Sequence, residues 1–399
     1  MRGFITLVGV FLTIFSTTFT VAAALNPTPG NADTVVEIVN FYPGQDIYEL
    51  EGHTVLRIIT PESDRAVSFG TFDFNQPNFV YRFVKGETDY WASEAPFGWF
   101  AEAYAQQGRR IVAHRINLTS AQKARLIYLT DSILRPENRV YRYNYVKDNC
   151  ATRPLGLIEQ AAGHQITPGK APDGVDTQTF RSIMRYYHRA YPWYQFGIDI
   201  ALGSGIDYQL NEHEKTFAPV VFDAQLPDAT LGGSPLVTDS YVIYEGLPGG
   251  ATEAPTPWYL TPMAVFTVLT LVILYVVFND IRNKQITRWA DTLMFSAYGL
   301  VGLLLTFLIF VSVHEATSPN YLYFWLNPLC LTVPALIWFR NGKIQTVLSV
   351  YEVLNLVSVI FMCVAWAFLG QSGNIAFIPL IIIDIALGAR FLYVRRITK

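Results

Sequence analysis

The sequence predicts a mixed α+β domain, exported across a membrane and followed by an all-α bundle of five transmembrane helices. Three observations carry that expectation. A hydrophobic share of 51% against 15% charged residues is too apolar for an ordinary soluble chain of 399 residues. Five apolar stretches occupy the C-terminal third. Ahead of them, short runs rich in β-branched and aromatic residues alternate with segments of helical period.

At the N-terminus, Arg2 precedes an apolar run from Phe4 to Val21, and Ala22-Ala23-Ala24 offers the small residues that a signal peptidase accepts. Residues 1–24 therefore read as a signal peptide. An uncleaved anchor is the other reading, and both leave the following residues exported. No cysteine follows the small residues, so this signal gives no route to lipidation of the chain itself. The exported domain is expected over residues 25–222. Strands are expected from Val35 to Phe41, Tyr48 to Ile59, Ala66 to Phe74 and Arg110 to Leu118, with Pro43-Gly44 turning the chain between the first two. Helices are expected from Phe97 to Gln107, from Ala121 to Leu134 after the Thr119-Ser120 cap, and from Thr179 to Tyr191. Residues 223–257 are rich in Gly and Pro and read as a linker, in which Tyr241 to Tyr244 is apolar enough to return to the domain as a strand.

Residues 258–399 form the membrane portion, with apolar stretches at Leu260 to Phe278, Leu293 to Val313, Phe324 to Phe339, Val347 to Leu369 and Ile375 to Val394. The third is short and carries Pro328 and Pro334. Positive charge alternates between the loops. Arg282, Lys284 and Arg288 follow the first stretch, Arg340 and Lys343 the third, and Arg390, Arg395, Arg396 and Lys399 the last, while the other two loops have none. The positive-inside rule then puts the C-terminus in the cytoplasm and the folded domain outside, in agreement with the signal peptide. Glu352, Asn355 and Asp384 are costly in lipid and are expected to face the bundle interior, bonding between helices. A net charge of −3, without any basic run interleaved with aromatics, excludes a nucleic-acid partner.

Of three cysteines, only Cys150 lies in the exported portion; Cys330 and Cys363 fall in apolar stretches. Cys150 thus has no exported disulfide partner, and a lone thiol in an oxidising compartment is a candidate reactive group. It sits in Tyr143-Asn144-Tyr145-Val146-Lys147-Asp148-Asn149-Cys150-Ala151-Thr152-Arg153-Pro154, where a strand runs into a helix capped by Asn149 or Thr152. A position within a turn of a helix N-terminus favours thiolate over thiol and offers backbone N–H groups to an oxyanion. A base is needed, and His53, His114, His164, His188 and His213 are available. Spacing alone does not choose among them. His53 follows Gly52 in an early strand, His164 follows Gly163 at a helix end, and His188 and His213 lie among charged neighbours and read as solvated. His114, on its own strand, stays a rival to His53.

The exported domain resembles that of the Lnb-type lipoprotein N-acyltransferases. The resemblance rests on Glu51-Gly52-His53-Thr54, on Phe69-Gly70-Thr71-Phe72-Asp73-Phe74 with Pro77-Asn78-Phe79, on Asp148-Asn149-Cys150-Ala151-Thr152-Arg153, and on Pro192-Trp193 to Gly203. It implies a permuted papain-like fold, similar to NlpC/P60 and lecithin:retinol acyltransferase-like cysteine enzymes, with the His strand before the Cys helix. It also implies Cys150 as nucleophile and His53 as base, with a third polar group on the imidazole. Ser68, Asp73 and Glu51 are candidates for that group; Asn149 and Arg153 belong to the motif and serve either the chemistry or the loop.

The activity so implied moves an acyl chain from a phospholipid, through a Cys150 thioester, to the α-amine of a diacylated lipoprotein cysteine at the bacterial inner membrane. Phospholipid donor, diacylated lipoprotein acceptor and the bilayer are the expected partners. Tyr90-Trp91, Phe97, Trp99-Phe100 and Trp258-Tyr259 are candidates for the lipid interface or, for all but the last pair, for the core. No metal-ligand cluster or phosphate-binding Gly motif is present, so no cofactor is expected. Two alternatives remain open at this stage. One is a membrane-bound cysteine hydrolase, either a cell-wall peptidase or amidase or a phospholipase; the other is a non-catalytic envelope sensor or scaffold.

Overall fold

The protein was analysed as a computed structural model that describes residues 34–248, 250 and 254–398; the expected signal peptide lies outside the described residues. The exported domain is built on a seven-stranded sheet. Its strands are β1 (Val35–Phe41), β2 (His53–Ile59), β3 (Asp64–Thr71), β4 (Asp89–Pro96), β5 (Ile111–Ile116), β6 (Val140–Arg142) and β10 (Val237–Tyr244), in the order β10-β5-β1-β2-β3-β4-β6. All these pairings are antiparallel. Three short strands, β7 (Ile166–Thr167), β8 (Thr230–Leu231) and β9 (Ser234–Pro235), make a separate small sheet. Because β10 pairs with β5, the Gly- and Pro-rich segment folds back onto the sheet as far as Tyr244.

The central strands carry apolar side chains on both faces, and both faces are covered. Val36, Ile38, Leu56, Ile58, Val67 and Phe69 pack against α3 (Ser120–Leu134) and α4 (Thr152–Ala162). Val39, Phe41, Val55, Ala66, Ile111 and Ala113 pack against Phe97 and Ala101 of α2 (Phe97–Gln106), with α1 (Phe79–Lys85) preceding β4. The capping box of Thr119 and Gln122 starts α3 where the sequence signal puts it. β2 is shorter than expected. Tyr48 to Gly52 form turns, and Gly52 at φ +85 could not carry a Cβ, which would lie 2.6 Å from the Phe41 carbonyl oxygen.

The rest of the domain is helical. Here α5 (Phe180–Tyr187), α6 (Pro192–Ala201), α7 (Glu212–Lys215) and α8 (Pro219–Gln225) follow α4. Helix α6 docks on the membrane portion: Phe196 stacks with Phe266 and Phe377, and the Trp193 indole N–H donates to the Leu260 carbonyl at 2.7 Å. Arg185 and Asn374 both bond Asp199 from the two sides of this seam.

Among the described residues four helices are long and apolar enough to span a membrane: α9 (Pro262–Asn283), α10 (Arg288–Phe310), α12 (Gly342–Ala365, continued by a 3-10 turn to Phe368) and α13 (Phe377–Thr398). The third expected span differs. It runs as 3-10 turns at Tyr321–Phe324 and Pro328–Leu331 and a short α11 (Thr332–Leu336), because Pro328 and Pro334 interrupt the helical ladder and Asn327 caps a new start. One side of this segment, with Leu322, Trp325, Leu326, Cys330 and Val333, is buried against the other helices, while Phe324 and Leu329 face outward. At Gly302 of α10 a Cβ would lie 2.3 Å from the Asn327 carbonyl carbon, so the broken segment lies directly on that helix. Glu352, Asn355 and Asp384 do face the interior, with Asn355 donating to Asp384 at 2.7 Å. Arg390 is not a loop charge as the sequence reading had it. It is fully buried between Asp280 at 2.9 Å and Asp291 at 2.5 Å, and the positive end of the chain rests on the residues beyond it.

Candidate active site

Cys150 sits just before α4. The Asn149 side-chain oxygen accepts from the N–H groups of Ala151 (2.9 Å) and Thr152 (3.0 Å), while the Asn149 N–H donates to the Thr152 hydroxyl at 2.8 Å. Asn149 is therefore the cap, held in turn by its amide on the carbonyls of Tyr145 and Phe217. Arg153 forks onto Asp148 at 2.6 and 2.7 Å and lies over the Tyr141 ring. Asn149 and Arg153 thus shape the turn that presents the sulfur. Cys150 is 7% exposed, with the peptide N–H of Thr54 and the hydroxyl of Tyr143 near enough to its Sγ to favour the thiolate electrostatically.

Burial decides the thiol's charge. It pushes the Cys150 pKa up despite the N–H of Thr54, the Tyr143 hydroxyl and the residue's own N–H, each of which favours thiolate. The expectation of a resting thiolate from the helix end alone is therefore corrected: desolvation outweighs the dipole, and the thiol stays protonated. Tyr143 is likewise raised well above its ordinary value, by burial first and by Cys150 second, so its hydroxyl keeps its proton and donates.

His53 opens β2, one residue before the peptide that lies by the sulfur. Its Nε2 is 2.9 Å from the Ser68 hydroxyl, across the β2–β3 ladder, and its ring stacks on Tyr104 with centroids 6.1 Å apart. Burial among these rings, and then the charge of Arg109, hold the imidazole pKa down to about 3, so it is neutral. The field of Arg109 reaches Cys150 as well, and Tyr104 lies within electrostatic range of the same sulfur. His53 and Ser68 share the sheet face of Phe41, whereas α4 covers the opposite face. The Thr54 peptide, which follows His53 at the end of β2 where Gly52 stops the strand, is the element that brings His53 and the sulfur into one region. No hydrogen bond joins the imidazole and the thiol.

Of the candidates for the third group, Ser68 is the one on the imidazole. Asp73 is exposed and holds its own loop through Asn75. Glu51 does not share the strand face of His53, because the left-handed Gly52 redirects the chain. Its carboxylate accepts the Tyr145 hydroxyl at 2.5 Å and lies 2.6 Å from His188 Nε2. His188 is correspondingly buried, not solvated, with Nδ1 against Gln195 at 2.7 Å. Burial opposes its protonation, yet the Glu51 charge and the bonds from Glu51 and Gln195 prevail and raise its pKa. His114 has both ring nitrogens engaged, by Asp223 and Ser240 at 2.8 Å each. His213 pairs with Glu159, and His164 is exposed after the Gly163 cap. Sequence reasoning missed Tyr143 and the Thr54 peptide as neighbours of the sulfur, and Arg109 and Tyr104 as its surroundings; the Asn40 side chain fixes Thr54 through a 2.5 Å bond. Among the described residues no cluster of His, Cys, Asp and Glu is arranged to hold a metal ion.

Tyr143→Phe is expected to lower the Cys150-dependent activity by about 10²-fold, while leaving the fold intact, because only the hydroxyl beside the sulfur is removed. The activity that Cys150→Ala abolishes is the one to measure. An unchanged rate would leave Tyr143 with a packing role alone.

Comparison with curated proteins and with solved structures gives no match. Comparison with protein families gives two. Residues 30–186 match the Lnb N-terminal periplasmic domain, and residues 254–398 match the Lnb transmembrane domain, a unit whose family name counts five transmembrane helices. The first contains β2, β3 and the head of α4 and the second all four long helices with the broken segment between them, so the chain belongs to the Lnb family, a membrane protein with a periplasmic domain.

Proposed function

We propose that this protein is a lipoprotein N-acyltransferase acting through a Cys150 thioester, with His53 as base and Ser68 orienting it. The observation that carries the reading is the arrangement at the head of α4. A buried thiol lies by the peptide N–H adjoining His53, and the imidazole has one nitrogen on Ser68 and the other free to take a proton. With Nε2–H donating to Ser68, Nδ1 accepts the thiol proton as Sγ attacks the phospholipid ester carbonyl. The carbon–oxygen bond of the ester breaks, the lysophospholipid alkoxide takes the proton from His53, and the acyl chain stays on sulfur. A neutral lipoprotein α-amine then attacks the thioester, the carbon–sulfur bond breaks, and an amide and the free thiol result. Asn149 already occupies the N–H groups of Ala151 and Thr152, so the Tyr143 hydroxyl and the Cys150 N–H are the donors left for the oxyanion.

Purified protein incubated with phospholipid alone should gain one fatty-acyl mass on the peptide carrying Cys150, and neutral hydroxylamine should remove it. A diacylated lipopeptide with a free N-terminus should discharge the adduct onto its amine; an N-acetylated one should not. Discharge to water at the same rate with or without lipopeptide would make the protein a phospholipase instead. Absence of any adduct under single-turnover conditions would sink covalent catalysis.

The reading also requires the domain outside and the C-terminus in the cytoplasm, as the charges of the Arg282 to Arg288 and Arg340 to Lys343 loops support. An alkaline phosphatase fusion at the C-terminus should be inactive and one placed after Phe222 active. The reverse pattern would separate the thiol from its lipoprotein acceptor and refute the assignment.

A further inference from the structure

A row of aromatic rings runs between the membrane portion and the sulfur. Tyr143, whose hydroxyl lies near the Cys150 sulfur, stacks on Tyr90 at 4.8 Å. Tyr90 meets Phe72 at 5.2 Å, Phe72 meets Phe79 at 5.9 Å, and Phe79 meets Phe83 at 5.8 Å. Phe74 closes on Phe72 from the side at 4.7 Å. The row exists because of Gly70: at φ +94, a Cβ there would sit 2.7 Å from the Tyr143 ring, so only glycine lets that ring lie where β3 turns toward Phe72.

The far end of the row is fixed to the membrane bundle. The Val313 N–H donates to the Lys85 carbonyl at 2.9 Å, the His314 ring bonds the Phe83 carbonyl at 2.9 Å, and Tyr81 packs on Phe307 of α10. Helix α1 therefore lies at the end of a membrane-spanning helix, with Val80 73%, Tyr81 53%, Phe83 48% and the nearby Phe74 58% exposed. Exposed apolar surface of this extent, level with a span terminus and flanked by Arg82 and Lys85, suits the boundary between acyl chains and headgroups. Water is the wrong solvent for it.

The geometry points to this aromatic row as the track on which the acyl chain of the donor phospholipid lies, from the bilayer at α1 to the carbonyl at Cys150. The occupant is an acyl chain because the lining is aromatic from the bilayer level to Tyr143 and ends at the sulfur. It rests on the thioester reading above for the role of Cys150, and adds which side chains hold the chain being transferred.

The test uses full-length protein with Cys150→Ala, so that no turnover is needed, in vesicles of phosphatidylethanolamine and phosphatidylglycerol carrying a trace of phospholipid with a diazirine on its acyl chain. Photolysis should label the peptides that contain Phe72 to Phe83 and Tyr143, and Phe74→Ser should reduce that label by about tenfold. Trp99→Ser, at a still more exposed aromatic off the row, should not. Label confined to α9, α10, α12 and α13, or label of the row only by a diazirine-bearing diacylated lipopeptide, would overturn the proposal. In the protein with Cys150 intact, Phe72→Ala and Phe74→Ser should slow thioester formation from a long-chain phospholipid by about tenfold, yet leave acylation by a soluble butyryl thioester unchanged. Equal slowing with both donors would mean a misplaced thiol and would refute the track. Failure of the unmutated protein to form any thioester would refute the thioester reading, and the cross-linking result would still decide the track.

Discussion

Cys150→Ala is expected to lose acyl transfer by roughly 10⁴-fold or more, because removing a nucleophile leaves only substrate positioning. The variant should fold normally. Asn149 caps α4 through the N–H groups of Ala151 and Thr152, and neither bond involves the sulfur. The same change at the other two cysteines should leave most of the activity. Cys330 is buried against the Trp325 carbonyl in the broken segment, and Cys363 lies on the outside of α12. Neither has a histidine in hydrogen-bond contact. Mass analysis of a lipoprotein N-terminus in cells that depend on the variant for N-acylation reads the outcome. Full activity of Cys150→Ala, or loss with Cys330→Ala alone, would remove the nucleophile assigned here.

The sequence made parts of this arrangement legible and hid others for physical reasons. β1 was readable residue for residue because Val35 to Phe41 is rich in β-branched residues and ends just before the Pro43-Gly44 turn, and α3 because Thr119 and Gln122 form a local cap. The position of Cys150 at a helix start followed from Asn149 and Pro154. By contrast, β4 was hidden: Asp-Tyr-Trp-Ala-Ser-Glu-Ala-Pro has mixed polarity and is a strand through its pairing with β3 and β6. Helix α1 has no side-chain cap, and Asn78 before it is left-handed, so it carries no start signal. His188 looked solvated among Arg185 and Arg189, since its partner Glu51 is far away in sequence. Local reasoning gave the pull of the N–H groups toward thiolate but not the burial that outweighs it, because burial is a tertiary property. The third span was counted as a helix although it carries Pro328 and Pro334, and those prolines break it into 3-10 turns and a short helix.

His53→Ala is expected to slow acyl-enzyme formation by about 10³-fold at neutral pH, and its pH dependence identifies the role. In the unmutated protein the imidazole is neutral above its pKa of about 3, and the thiol pKa is raised by burial. The reactive state, neutral base beside protonated thiol, therefore persists from mildly acidic to alkaline pH. The burst of lysophospholipid should accordingly be nearly flat across pH 5 to 8, falling only as the pH approaches the imidazole value from above. The later transfer step should still rise near neutrality, because the lipoprotein α-amine must be unprotonated and its ordinary pKa is about 7.7–8.0. Without His53 no group takes the proton, so the burst should follow the thiolate and rise about tenfold per pH unit up to the raised pKa of Cys150. His114→Ala should retain the flat profile, as its ring nitrogens belong to Asp223 and Ser240. An acid limb near pH 6.5 in the unmutated protein would show an unperturbed histidine at work. A flat profile surviving in His53→Ala but lost in His114→Ala would move the base to His114.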